Sequence, residues 1–182
     1  VMMVSHTTDL AVDFGRKVRN LISTEEYNSI FPTVKLAIDS KSAGRWNTNS
    51  GGEYYACGIG SSIAGRGADL LLVDDPHSEQ DVINGNFEVF EKAYEWFTFG
   101  ARTRLMPGGR VAIIQTRWHM DDLTGRVVRD MSQNERSDQY EVVEFPAILD
   151  TFNKKTKKEI QKPLWPEFFD LEALLRTKAS MP

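Results

Sequence analysis

Two adjacent carboxylates, Asp74 and Asp75, close the apolar run Leu70-Leu71-Leu72-Val73, and Pro76 stops the run behind them. An uninterrupted apolar stretch between breakers fits a strand buried on both faces, as in a parallel α/β sheet. Acids at the carboxyl end of such a strand stand where open α/β sheets bind ligands. Residues 68–77 therefore have the shape of a Walker B segment. In that chemistry the first acid holds Mg²⁺ through its water shell and the second polarises the water that attacks a terminal phosphoryl group. The plain alternative is a pair of acids that caps the next turn.

Other residues could join this chemistry. Gly60 and Gly65 have the spacing of a phosphate-cradling loop, but Arg66 and Gly67 stand where Lys and Ser/Thr would reach phosphate and metal. A strand follows within a few residues, whereas that loop should open a helix. The stretch reads instead as a small-residue loop projecting Arg66 beside the acidic strand, a residue suited to transferred-phosphoryl charge or, plainly, a solvated arginine. A third apolar run, Val111–Ile114, ends in Gln115-Thr116-Arg117. Asp74, Asp75, His77, His119, Asp121 and Asp122 also have the oxygen and imidazole chemistry of a two-metal nuclease or phosphohydrolase, given carboxylates within about 4 Å of shared ions. Against this, Asp121 and Asp122 suit a helix N-terminus. Cys57 reads as a strand residue rather than a nucleophile.

The elements that position these groups follow from periodicity. Val1–Val4 is a buried-strand pattern leading to Ser5-His6. Thr7 and Thr8 offer N-caps for an amphipathic helix through Leu10, Phe14, Val18, Leu21 and Ile22. Residues 25–31 predict a short helical turn, 35–38 and 53–59 two strands, and 42–52 a loop or hairpin tip between them. Phe87, Phe90, Tyr94, Phe97, Ala101 and Leu105 predict an aromatic-striped helix of nearly five turns, capped by Asn84 or Asn86 and ended by 106–109. A helix begins at Asp121-Asp122, 140–145 predicts a strand, and Asp170 caps a last helix through Leu171, Leu174 and Leu175. Lys154-Lys155-Thr156-Lys157-Lys158 is a solvated turn or a DNA-phosphate contact. Strands alternating with helices predict an α/β fold, a mostly parallel sheet flanked by helices, with polar residues converging at one sheet edge.

Composition narrows the classes. Of 182 residues 41% are hydrophobic and 26% charged, ordinary for a globular domain. The net charge of −4 excludes a uniformly basic nucleic-acid coat, so DNA contact would need local patches. A single cysteine excludes an intrachain disulfide or a cysteine-rich zinc site. No apolar run approaches the roughly 20 residues of a membrane span, so a cytosolic chain with no membrane partner is expected.

Taken in order, Gly65-Arg66-Gly67-Ala68-Asp69, residues 70–76, Thr103-Arg104-Leu105-Met106-Pro107-Gly108-Gly109 and the block from Thr116-Arg117-Trp118-His119 through Asp121-Asp122-Leu123-Thr124-Gly125 resemble the ATPase domain of tailed-bacteriophage terminase large subunits, motors that package DNA into proheads. The likeness covers nearly the whole chain, and the last block is its most specific part. It implies a P-loop ASCE/RecA-like ATPase core over 1–139 and a lid or linker region over 140–182, with an RNase H-like nuclease domain beyond. It implies that Asp74 is the Mg²⁺-linked acid and Asp75 the catalytic carboxylate, a shorter side chain than the Glu of many motors. Thr116 and Arg117 resemble the coupling motif that senses the γ-phosphate, Thr116 thereby touching nucleotide. Arg66 resembles an arginine finger acting across a ring interface. ATP and Mg²⁺ are the implied cofactors; double-stranded DNA, portal protein, small terminase subunit and further copies in a ring are the implied partners. The implied location is the host cytoplasm, docked transiently on the prohead.

One departure stands out. No Gly-x-x-x-x-Gly-Lys-Ser/Thr occurs, and in the family it precedes the strand at Val1–Val4. The chain is therefore expected to be a fragment cut downstream of that loop and inactive alone. If the motor reading holds, Arg66, Asp74, Asp75 and Thr116 should cluster at one sheet edge. A metal-dependent nuclease is the enzymatic alternative. A non-catalytic module would instead expose the aromatic helix and Trp118 to a partner.

Overall fold

The computed structural model describes residues 1–40, 42–152 and 159–181. The chain divides into two compact units, Val1–Asp138 and Gln139–Pro182.

The first unit is an α/β layer structure. Its strands are β1 (Met2–Ser5), β2 (Arg45–Asn47), β3 (Glu53–Gly58), β4 (Ala68–Asp74) and β5 (Leu105–Ile114), and its helices α1 (Thr8–Ile22), α2 (Glu25–Ile30), α3 (Glu79–Ile83), α4 (Glu88–Glu95) and α5 (Leu123–Gln133). The sheet order is β2-β3-β1-β4-β5. β1 pairs in parallel with β3 and β4, β4 in parallel with β5, and only β2 runs antiparallel. The mostly parallel sheet matches the sequence expectation. Buried-on-both-faces β1 is its centre, with Met2, Met3, Val4 and Ser5 all buried.

Helix α1 starts where expected: the Thr7 side chain accepts the Leu10 N–H at 3.3 Å. Its buried face is another matter. Leu10, Val18 and Leu21 are exposed, while Ala11, Gly15 and Ile22 are buried. The reason lies on the strands. Trp46 and Tyr54 stack with ring centroids 5.0 Å apart, and they reach up to the helix, Trp46 Nε1 donating to Gly15 O at 3.1 Å and Tyr54 OH to Ala11 O at 2.7 Å. A Cβ on Gly15 would lie 2.4 Å from the Tyr54 ring. The bulk sits on the sheet, so the helix must present small residues.

The aromatic helix is also interrupted. α4 passes into a wider π-turn over Trp96–Ala101 and a tight 3₁₀ turn over Arg102–Arg104, and Leu105 already belongs to β5. Phe87, rather than Asn84 or Asn86, takes the N-cap position, without a side-chain bond. Phe90, Phe97 and Ala101 of the stripe are buried, with Ala93 beside them, so its middle is core, whereas Phe87 at its start is half exposed. Residues 106–109 bulge out between the Ala68–Leu105 and Leu70–Arg110 pairs, with Gly108 at φ +80°. Cys57 is buried on β3 and its thiol is pushed up to about 11 by burial. The predicted 35–38 strand is reduced to one bridge, Leu36 to Thr48, and β2 forms inside the predicted loop 42–52.

In the second unit, β6 (Ile148–Phe152) and β7 (Glu159–Pro163) form an antiparallel pair, followed by α6 (Leu171–Ala179) with Asp170 accepting the Ala173 N–H at 2.7 Å. Residues 140–145 form no strand; among the described residues they pair with no strand of either sheet. The basic run 154–158 lies outside the described residues. Among the described residues no helix is long and apolar enough to cross a membrane.

Candidate functional site

Because β1, β3, β4 and β5 are parallel, their carboxyl ends lie along one edge: Ser5-His6, Gly58, Asp74-Asp75 and Gln115-Thr116. Asp75 is the pivot of this edge. Its N–H donates to Ile114 O at 2.9 Å, its carbonyl accepts the His6 N–H at 3.0 Å, and its Oδ1 accepts the Thr116 N–H at 3.0 Å. These bonds hold it at φ +41°, the only non-glycine residue with positive φ among those described. Such a conformation costs of order 1–3 kcal/mol and persists only where its surroundings fix it. Asp75 is exposed, so the rest of its carboxylate remains open to solvent.

Asp74 lies half-buried beside it. Burial, and secondarily the Asp75 charge, hold its carboxyl above the ordinary aspartate range. No described residue donates a hydrogen bond to that carboxylate. An all-oxygen acid with free lone pairs suits a hard, hydrated cation. Among the described residues, however, no group of three or more His, Cys, Asp or Glu could hold a metal ion. The residues present thus fit Mg²⁺ held through water, and not a caged inner-sphere ion. Buried polar atoms with no hydrogen-bond partner belong to residues at the same strand ends: Ser5 Oγ, both amide atoms of Gln115, and His6 Nδ1, which has Asp81 Oδ2 at 4.0 Å. Unpaired buried groups are uncommon and call for a water, an ion or a ligand.

Arg117 is held differently. Its Nε donates to Asp122 Oδ2 at 2.9 Å and its Nη2 to His119 O at 3.2 Å. Asp122 is fully buried and gathers four donors, adding the Trp118 N–H at 3.1 Å, the His119 N–H at 3.3 Å and, as N-cap of α5, the Gly125 N–H at 2.8 Å. A Cβ on Gly125 would meet Met120 O at 2.1 Å and Arg117 Nη2 at 2.7 Å. This Asp-x-x-Gly knot locks the turn after β5, and the spacing of acid and glycine at a helix start was its signal.

Beyond the Asp74-Asp75 pair, the acids and imidazoles of a two-metal arrangement are engaged elsewhere. His77, buried, accepts the Leu123 N–H on Nε2 at 3.0 Å; His119 stacks on Phe90 and accepts the Asp121 N–H; Asp121 pairs with Arg129 at 2.6 Å.

Arg66 stands elsewhere. It precedes β4, at the amino edge of the sheet, where it lies over the Tyr55 ring at 4.4 Å and 3.7 Å from Glu53 at the start of β3. The length of β4 separates it from Asp74, roughly 20 Å at 3.3 Å per residue. Within one chain, then, Asp74, Asp75 and Thr116 come together and Arg66 does not join them. No family model matches this chain, and no curated protein matches it.

Proposed function

We propose that this chain is the hydrolysis-and-coupling portion of an ATP-driven DNA-packaging motor of the terminase large subunit type, with a P-loop ASCE core. The observation that carries the reading is the bond from Thr116 N–H to the Asp75 carboxylate, on adjacent parallel strands, beside an unpartnered Asp74. In this reading Asp74 holds the water shell of Mg²⁺, and the ion supplies charge neutralisation to the triphosphate. Asp75 orients the attacking water and accepts its proton. Its other oxygen stays on Thr116, so the state of the acid is felt directly at the start of the segment leading to Arg117 and α5. Arg117 braces that segment against Asp122. Arg66, remote within its own chain, serves only across a ring interface, to a neighbour's Asp74 edge. The unit Gln139–Pro182 is the lid, and double-stranded DNA, portal protein and small terminase subunit are the partners.

The test is ATP hydrolysis with Mg²⁺ by this chain, by an extended form that carries a phosphate-cradling loop, and by the extended Asp75→Ala variant. Turnover confined to the extended protein and lost in the variant supports the proposal. Metal-dependent DNA cleavage by the chain, with no ATPase in either form, would replace it with the nuclease reading.

A further inference from the structure

Ser5 closes the central strand and is wholly buried, yet its hydroxyl has no hydrogen-bond partner. Its neighbours explain what that hydroxyl faces. Ser5 is in register with Asp74 on β4 and with Gly58 on β3. Residues in register on parallel strands project to the same face, so the Ser5 and Asp74 side chains stand side by side, about 4.8 Å apart at the backbone. Gly58 contributes no side chain to the rung, and its own flank is closed by Thr8, whose Oγ1 accepts the Gly58 N–H at 2.9 Å. One rung therefore holds a buried donor with nothing to donate to and a carboxylate that accepts from no described residue. They do not bond to each other directly.

We infer that Ser5 is a positioning residue of the acid pair: its hydroxyl and the Asp74 carboxylate grip one water between them, and a hydrated divalent cation at Asp74 keeps that water in its shell. The inference rests on the proposed role of Asp74. It distinguishes Ser5 from an ordinary core serine, whose hydroxyl would be tied to a backbone carbonyl. Outer-shell groups of this kind alter metal affinity by about 10–100-fold.

Mn²⁺, a spectroscopic stand-in for Mg²⁺, is titrated by electron paramagnetic resonance into the 182-residue chain and its Ser5→Ala, Ser5→Cys and Asp74→Asn variants, with urea unfolding of each in the absence of metal. The expected result is an Asp74-dependent site weakened about tenfold or more by both Ser5 variants. The urea midpoint of Ser5→Ala should be unchanged or raised, because no hydrogen bond within the fold is lost. Asp74-dependent binding that Ser5→Ala leaves intact overturns the inference alone. So does wild-type affinity in Ser5→Cys alongside a loss in Ser5→Ala, which would assign the effect to packing. Binding that is absent, or indifferent to Asp74→Asn, refutes the role of Asp74 and the inference with it.

Discussion

Replacing Asp122 tests whether the turn after β5 is held by one carboxylate. In Asp122→Ala the α5 N-cap bond to Gly125 is lost, costing about 1 kcal/mol. The N–H groups of Trp118 and His119 lose their acceptor as well; both residues are partly open to solvent, so each contributes at the low end, about 1 kcal/mol. The Arg117 pair adds little, because the guanidinium is half exposed and water replaces its partner. The sum is about 2–4 kcal/mol. Asp122→Asn separates the two halves of the knot. Its amide oxygen can keep the cap, but its NH₂ faces three donors in place of Oδ2, for a loss of about 1–2 kcal/mol. Urea unfolding monitored by tryptophan fluorescence gives both values, provided the m-value is unchanged. An Asp122→Ala protein within about 0.5 kcal/mol of wild type would refute the reasoning, since that is the range of featureless surface changes.

Two further outcomes follow from the packing. His77 is neutral in the fold, because Nε2 accepts the Leu123 N–H, and burial lowers its affinity for a proton, opposed by Asp122 and Asp81 and assisted by His6. A base with a depressed folded pKa contributes stability that is complete above its unfolded value of 6.5 and is lost as pH falls below it. Urea midpoints between pH 8 and pH 5 should therefore decline on the acid side, and His77→Gln should flatten that decline; an unchanged profile contradicts the assignment. Gly15→Ala places a methyl 2.4 Å from the Tyr54 ring and 2.5 Å from Ala43 O, and should destabilise by about 1–3 kcal/mol despite the better helix propensity of alanine. A thermal midpoint at or above wild type would show that the helix moves freely off the Trp46–Tyr54 pair.

The parts of the site that were legible in the sequence are those fixed by strand polarity. Apolar runs ending in acids or in Gln115-Thr116 placed Asp74, Asp75 and Thr116 at one edge, because residues that follow parallel strands share an edge. The same rule sets Arg66 apart. A residue that precedes β4 lies at the opposite end from one that follows it, so nearness in sequence to Asp74 was misleading. Helix α1 was legible as an element but only in part in its buried face: Phe14 and Ile22 meet the core, whereas hydrophobicity could not show that Trp46 and Tyr54 would demand Ala11 and Gly15 beneath them. The role of Asp122 was half legible: its N-cap position is a sequence signal, whereas the return of Arg117, Trp118 and His119 onto the same carboxylate depends on the turn closing in space.

The left-handed backbone of Asp75 has a consequence for anyone who would improve this molecule. At φ +41° glycine is the residue of least conformational strain, and asparagine tolerates such a geometry better than most. A screen that rewards thermal tolerance or expression yield alone would therefore favour Gly or Asn at position 75. Each takes away the carboxylate at the centre of the edge. Selection for robustness and selection for chemistry pull in opposite directions at this one position, and a hardened variant library should be sequenced there before its members are compared for function.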